Sequence, residues 1–159
     1  MPHRARLSFA AFALAGLCAG PASAALIMHK DLSLNVAKTI AEEAVAACAA
    51  KGYPVSAVVV NRDGDTIVAM HGDEASPHTM ENARAMTFKQ PTAEYAKKLQ
   101  DPTSVAHQQV TLPNVIAIPG GQPIKVGDQV IGGIGVSGSP GVDDDCVNAG
   151  LAKAKDQLQ

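Results

Sequence analysis

His78, Asn82, Met86 and Lys89 recur at steps of three and four residues. At about 100° per residue they fall within about 80° of one another around a helix. An imidazole, an amide, a thioether and an ammonium would then line one wall: a metal ligand, a polar partner, a soft sulfur and a counter-charge for an anion. His78 follows Ser76-Pro77, a helix start with proline at the first helical position, so it falls in the first turn beside a loop. Met80 and Thr87 take the opposite side of the same helix. The plainer reading of these residues is a solvated helix face with a histidine near its N-terminus.

The other candidates are weaker. His71 ends an expected strand, His107 lies in a loop and His29 stands near the start of the folded chain. No two histidines sit four apart with a carboxylate, so a zinc-protease site is unsupported. Asp143-Asp144-Asp145 opens the last expected helix, where carboxylates at the positive end of the dipole contribute about 0.3–1 kcal/mol each. Oxygen ligands at EF-hand spacing are missing. No Ser-His-Asp or Cys-His grouping is visible, and Val136-Ser137-Gly138 only approaches a nucleophile elbow. Cys48 and Cys146 fall near the apolar stripes of two expected helices. They can bond if those helices pack side by side with Cα atoms within about 7 Å, or remain two buried thiols.

Composition narrows the function classes. The chain has 159 residues, 47% hydrophobic and 18% charged, which describes one globular domain. Aromatics make up 3%, there is no tryptophan and the net charge is −2, which argue against nucleic-acid binding. Three cysteines are too few for a disulfide scaffold. The first 24 residues read separately: Arg4 and Arg6, an apolar run from Leu7 to Leu17, then Pro21 and Ala22-Ser23-Ala24. That is the order of a secretory signal peptide with cleavage after Ala24. A lipid anchor at Cys18 fits less well, because Leu17 is bulky. The apolar run is shorter than the roughly 20 residues that span a bilayer. Removing the leader would leave 135 residues with a charge of −4, periplasmic or secreted, without stable membrane insertion.

The remaining residues must position the candidate side chains. Leu34, Ala37, Ile40, Ala41, Ala44 and Cys48 make one helical stripe, capped by Asp31 or Ser33 and ended by Gly52 and Pro54. Val55–Asn61 and Thr66–His71 read as strands joined through Asp63-Gly64. A middle helix from Ser76 to about Phe88 and a short one from Thr92 to Leu99 follow, on either side of Pro91. Val115–Ile118, Ile124–Val126 and Gln129–Val136 read as three more strands, and Pro140–Leu158 as the last helix. The expected class is α+β: five mostly antiparallel strands flanked by helices. Gly132-Gly133-Ile134-Gly135-Val136-Ser137-Gly138 marks close approach of another backbone, a subunit or a ligand.

Pro119-Gly120-Gly121-Gln122-Pro123-Ile124, this glycine-rich strand, Asp144 and Ala149-Gly150-Leu151 resemble the C-terminal signature of the GlcG/HbpS haem-binding family. The alanine-rich first helix, Val58-Val59-Val60, Asp63-Gly64 and Pro91-Thr92 fall in the family's order, so the resemblance spans residues 25–159. It implies a single domain with a five-stranded sheet, homo-oligomers and haem as cofactor. A related domain ends some corrinoid adenosyltransferases. The family's lysine-alanine-x-threonine-alanine segment has its nearest counterpart in Arg84-Ala85-Met86-Thr87-Phe88, a shorter distance from Pro91.

Haem iron takes axial histidine, methionine, cysteine or tyrosine. His78 is then the expected iron ligand, with Asn82, Met86, Thr87, Lys89 and Asp144 as further contacts and Lys89 facing a propionate. The expected function is non-catalytic haem handling or sensing outside the cytosol. The alternatives are an enzyme acting on a small organic acid or corrinoid, or an accessory subunit that binds another protein. Tyr53, Tyr95 and Phe88 are the only aromatics after the leader. A haem site here is therefore expected to be weak, exposed or shared between subunits.

Overall fold

Helix α1 (Leu34–Ala49) begins where Ser33, in extended conformation, accepts a hydrogen bond from the Val36 amide. Its stripe of Ala37, Ile40, Ala41, Ala44 and Cys48 is fully buried. The small side chains let a second helix approach. That helix is α4 (Asp143–Lys153), which buries Cys146, Val147 and Gly150. A Cβ on Gly150 would lie 2.4 Å from the Ile40 carbonyl oxygen, so the two backbones nearly touch. Cys48 and Cys146 meet across this contact and form a disulfide, with Cα atoms 5.5 Å apart. The computed structural model describes residues 26–85 and 89–159. The expected leader with Ala24 and Cys18, and the residues Met86 and Thr87, lie outside the described residues.

Under the helix pair lies a four-stranded antiparallel sheet in the order β2-β1-β4-β3. Its strands are β1 (Ser56–Asn61), β2 (Thr66–His71), β3 (Gly121–Val126) and β4 (Gln129–Ser137). The β1–β2 connection is held by Asn61, whose Oδ1 accepts from the amides of Asp63 and Asp65 at 2.9 and 2.8 Å, and Gly64 takes φ +91°. Alternation splits the sheet into two faces. Ala57, Val59, Ile124, Ile134 and Val136 join Ile40, Ala44 and Val147 in the main core with α1 and α4. Val58 and Val60 face the other way, against Ala83 and Met80 of α2 (Thr79–Ala85). Helix α3 (Thr92–Gln100) follows, with Tyr95, Ala96 and Leu99 buried. A 3₁₀ segment, Val105–Thr111, buries none of its residues.

Two expectations need correction. The sheet has four strands, not five. Val115–Ile118 runs without a ladder, and Ile118 is 40% exposed. A four-residue apolar run has no period that distinguishes a strand from a packed loop. The adjoining strand is correspondingly longer: β3 starts at Gly121, inside the expected Pro119–Pro123 connection, because Gly121 pairs with Gly135. The middle helix begins at Thr79 rather than at Ser76 and is described as far as Ala85, and its expected end near Phe88 lies outside the described residues.

Among the described residues, no helix is long and apolar enough to cross a membrane.

Candidate functional site

The face of the sheet away from α1 and α4 is the polar one. Ser56 pairs with Ser137 across β1 and β4, and opposite residues share a face. Further along the same face, β4 presents Gly135 and Gly133 opposite Val58 and Val60. Here the start of α2, the 118–119 segment, the end of β4 and the turn into α4 enclose a cleft of about 470 Å³. Its polar lining comes from His78, Thr79, Asn82, Ser137 and Asp143, and its apolar lining from Ile118, Pro119 and Pro140. At its edge Gly138 has φ +132°, and a Cβ there would stand 2.6 Å from the Pro54 carbonyl oxygen. Both constraints require glycine at this point of the wall.

His78 is exposed, in the turn just before α2, where its carbonyl accepts from the Asn82 amide. One helical turn further on, Asn82 is half-buried on the same wall. Thr79 is buried and connects the cleft to the sheet edge. Its hydroxyl donates to the Ser76 carbonyl at 2.7 Å. Its single proton is thereby used, so Ser56 Oγ must donate to Thr79 Oγ1, 2.7 Å away. Ser56 must in turn accept from His71 Nδ1, also at 2.7 Å. Donor accounting therefore places a proton on His71 Nδ1 and leaves Nε2 facing outward.

Asp143 closes the opposite side. Its Oδ1 accepts from the Ser139 amide at 2.9 Å and the Ser139 hydroxyl at 2.7 Å. Burial pushes its carboxyl above the ordinary carboxylate range. The Ser139 bonds oppose that shift, and the neighbouring Asp144 charge adds to it.

The structure brings His78 and Asn82 together on one wall, but not the rest of the expected set. Lys89 lies beyond the end of α2 and lines a separate small hollow. The helical wheel that joined it to His78 requires both residues to be helical, whereas His78 precedes α2 and Lys89 is not helical. Asp144 does not line the cleft; its Oδ1 accepts from the Gly120 amide at 3.0 Å and anchors the chain entering β3. Thr92 acts similarly, accepting from the Gly121 amide at 2.8 Å. Of the other histidines, His107 contacts the Leu99 carbonyl through Nδ1 and His29 contacts Arg62. Sequence reasoning missed Thr79, Ser137 and Asp143 as lining residues. Only Asp143 carried a signal, and it was shared with Asp144 and Asp145. Among the described residues no cluster of three or more His, Cys, Asp or Glu could hold a metal by itself.

The sequence model of the family described as "haem degrading protein HbpS-like" matches residues 32–152. The chain belongs to the HbpS-like family. That agrees with the resemblance read from the glycine motifs. The crystal structure of HbpS is 35% identical and superposes with a TM-score of 0.72, over 80% of this chain and 92% of that one. The Klebsiella pneumoniae protein ORFY is 25% identical, with a TM-score of 0.73 over 82% of this chain and 98% of its own. PduOC, solved as a haem complex, is 23% identical with a TM-score of 0.72, covering 78% of this chain and 95% of that one. At that identity it shows the fold alone. None of the curated proteins matches the sequence.

Proposed function

We propose that this HbpS-like chain is an exported haem-handling protein that takes haem at the cleft beside the start of α2, with His78 as the iron ligand. One observation carries the reading: an exposed imidazole stands on the wall of a cleft of about 470 Å³ in a chain of this family. Proximal histidine is an ordinary haem ligand. Ile118, Pro119 and Pro140 supply apolar surface for a flat ring, and Asn82 a polar contact. Bound haem would supply redox-active iron there. Among the described residues no lysine or arginine lines this cleft, so propionates find no counter-charge among them and binding is weak in one copy. Homo-oligomerisation would strengthen it, and the exposed side chains of Val105, Val110, Leu112 and Ile118 offer apolar surface for that contact. The Cys48–Cys146 bond supports an oxidising compartment, in line with the leader ending at Ala24.

Haemin titration of the purified protein tests the reading. A Soret shift that is lost in His78→Ala supports it, and no shift in the wild type refutes it. Following the bound Soret band under reductant and air separates handling from breakdown: a stable band marks carriage, and steady bleaching marks degradation.

Asp143 favours a second reading. A buried carboxyl with a raised pKa in a cleft can serve as a general acid, here toward a small organic acid or corrinoid. Loss of turnover in Asp143→Asn, with binding retained, would distinguish it.

A further inference from the structure

The second hollow, at the other end of the same sheet face, carries features the haem reading does not use. Along the β1–β4 pair, Ser56–Ser137 marks the cleft and Val60–Gly133 marks the hollow. Four residues separate them, about 13 Å at 3.3 Å per residue. The two sites share no lining residue. The hollow holds about 90 Å³ and is lined by Val60, Arg62, Lys89, Val130 and the consecutive glycines Gly132 and Gly133. Gly133, opposite Val60, leaves its floor without a side chain.

Both neighbouring ladders bulge at this point. Val59 pairs with Val68 but Val60 with Thr66, so Ile67 is an extra residue in β2. Ile124 pairs with Gly132 but Lys125 with Val130, so Ile131 is an extra residue in β4. Bulges re-aim side chains and occur often beside sites. Two cations meet here. Arg62 Nη2 lies 3.0 Å from His29 Nε2 and makes a 3.9 Å ion contact with the exposed Asp63. Its Nε–H is buried and has no hydrogen-bond partner among the described residues. A buried donor left unpaired is unfavourable, so this arrangement calls for an acceptor.

We propose that the Arg62–Lys89 hollow binds a compact oxyanion, a phosphate or a carboxylate group, that accepts from Arg62 Nε and takes Lys89 as its second counter-charge. The planar guanidinium edge suits two oxygens of one group, and the ammonium serves as a point charge. The volume admits such a group and excludes a porphyrin. The site is independent of haem at the cleft.

Calorimetric titration of the full chain with inorganic phosphate, and separately with acetate, tests the proposal. Saturable binding of at least one is expected, and the tighter of the two identifies the group. Arg62→Gln and Lys89→Gln should each weaken it about tenfold or more. Arg62→Lys keeps the charge but removes Nε–H, and should weaken binding nearly as much as Arg62→Gln. His78→Ala should leave anion binding unchanged. Circular dichroism establishes that each variant is folded, and Lys89, exposed and beyond α2, provides the variant least able to disturb the fold. No saturable binding of either anion would overturn the proposal, as would unchanged affinity in folded Lys89→Gln or in Arg62→Lys.

Discussion

Replacing Cys48 and Cys146 together by alanine opens a loop of 98 residues that joins α1 to α4. In the chain-entropy treatment, a closed loop of about this length stabilises the fold by about 4.7 kcal/mol at 25 °C, and measured values for disulfides centre on 2–4. Both side chains are fully buried, so loss of the sulfurs also leaves small voids at the α1–α4 contact, which add to the cost. A loss of about 3–5 kcal/mol is therefore expected, equivalent to about 15 °C in Tm for a domain of this size. Guanidinium unfolding of wild type and variant, each with and without reductant, provides the assay. The wild type should fall to near the variant on reduction, while the variant should not respond. Its m-value should exceed that of the oxidised wild type, because an uncrosslinked chain exposes more surface when unfolded. A loss below about 1 kcal/mol, with unchanged m, would show that the bond does not constrain the unfolded chain and would refute the reasoning. A wild type indifferent to reductant would remove the support for an oxidising compartment.

Other expectations follow from single contacts. Burial holds Asp143 above its ordinary pKa, so the native state binds this proton more tightly than the unfolded chain. Its contribution is intact at pH below the ordinary carboxylate value and declines as pH rises through the raised native one. Asp143→Asn keeps an oxygen for both Ser139 bonds, and should flatten the Tm–pH profile above the ordinary carboxylate range and match or exceed wild-type stability at pH 7. A steeper decline in the variant would contradict this. Gly150→Ala puts a methyl 2.4 Å from the Ile40 carbonyl; overpacking of about 1–3 kcal/mol should outweigh the helix-propensity gain of about 1, and a higher Tm would refute the close crossing. Ile40→Ala, at a fully buried position, should cost about 2–5 kcal/mol by chemical denaturation.

Sequence pattern was most informative where one physical cause dominated. The Ala37–Cys48 stripe buries against the sheet as its helical period requires, and Asp63-Gly64 turns β1 into β2. The glycine-rich β4 was read as a place of close approach. Gly132 bears this out, since its Cβ would stand 2.4 Å from the Val60 carbonyl oxygen. The failures came where tertiary partners decide. Val115–Ile118 is apolar enough for a strand but finds no neighbour to pair with, and Gly121 pairs because Gly135 lies opposite. Lys89 left the helical face because it is not helical, and a helical wheel places only helical residues. The roles of Asp143 and Asp144 diverge through one step of helical rotation: one carboxylate turns toward Ser139 and the cleft, the other toward the Gly120 amide. No local rule distinguishes adjacent aspartates in a first turn.

The division of labour between the two sheet faces accounts for where both candidate sites lie. On one face, Ile40, Val59, Ile124, Ile134, Val136 and Val147 are buried beneath two helices locked by a disulfide. Full burial of each such side chain contributes about 1.5–3 kcal/mol. On the other face the buried apolar cluster is Val58, Val60 and Ala83, beside a hydroxyl chain through Ser56 and Thr79 and the bare glycines of β4. Among the described residues that face adds little apolar burial, and its hydrogen bonds are individually worth about 1 kcal/mol net. The stabilising burden therefore rests on the α1–α4 side. The α2 side is free to keep a cleft and a charged hollow open. Local opening free energies should follow the same split, with slow amide exchange in α1, α4 and β1 and faster exchange in the short α2 that borders the cleft.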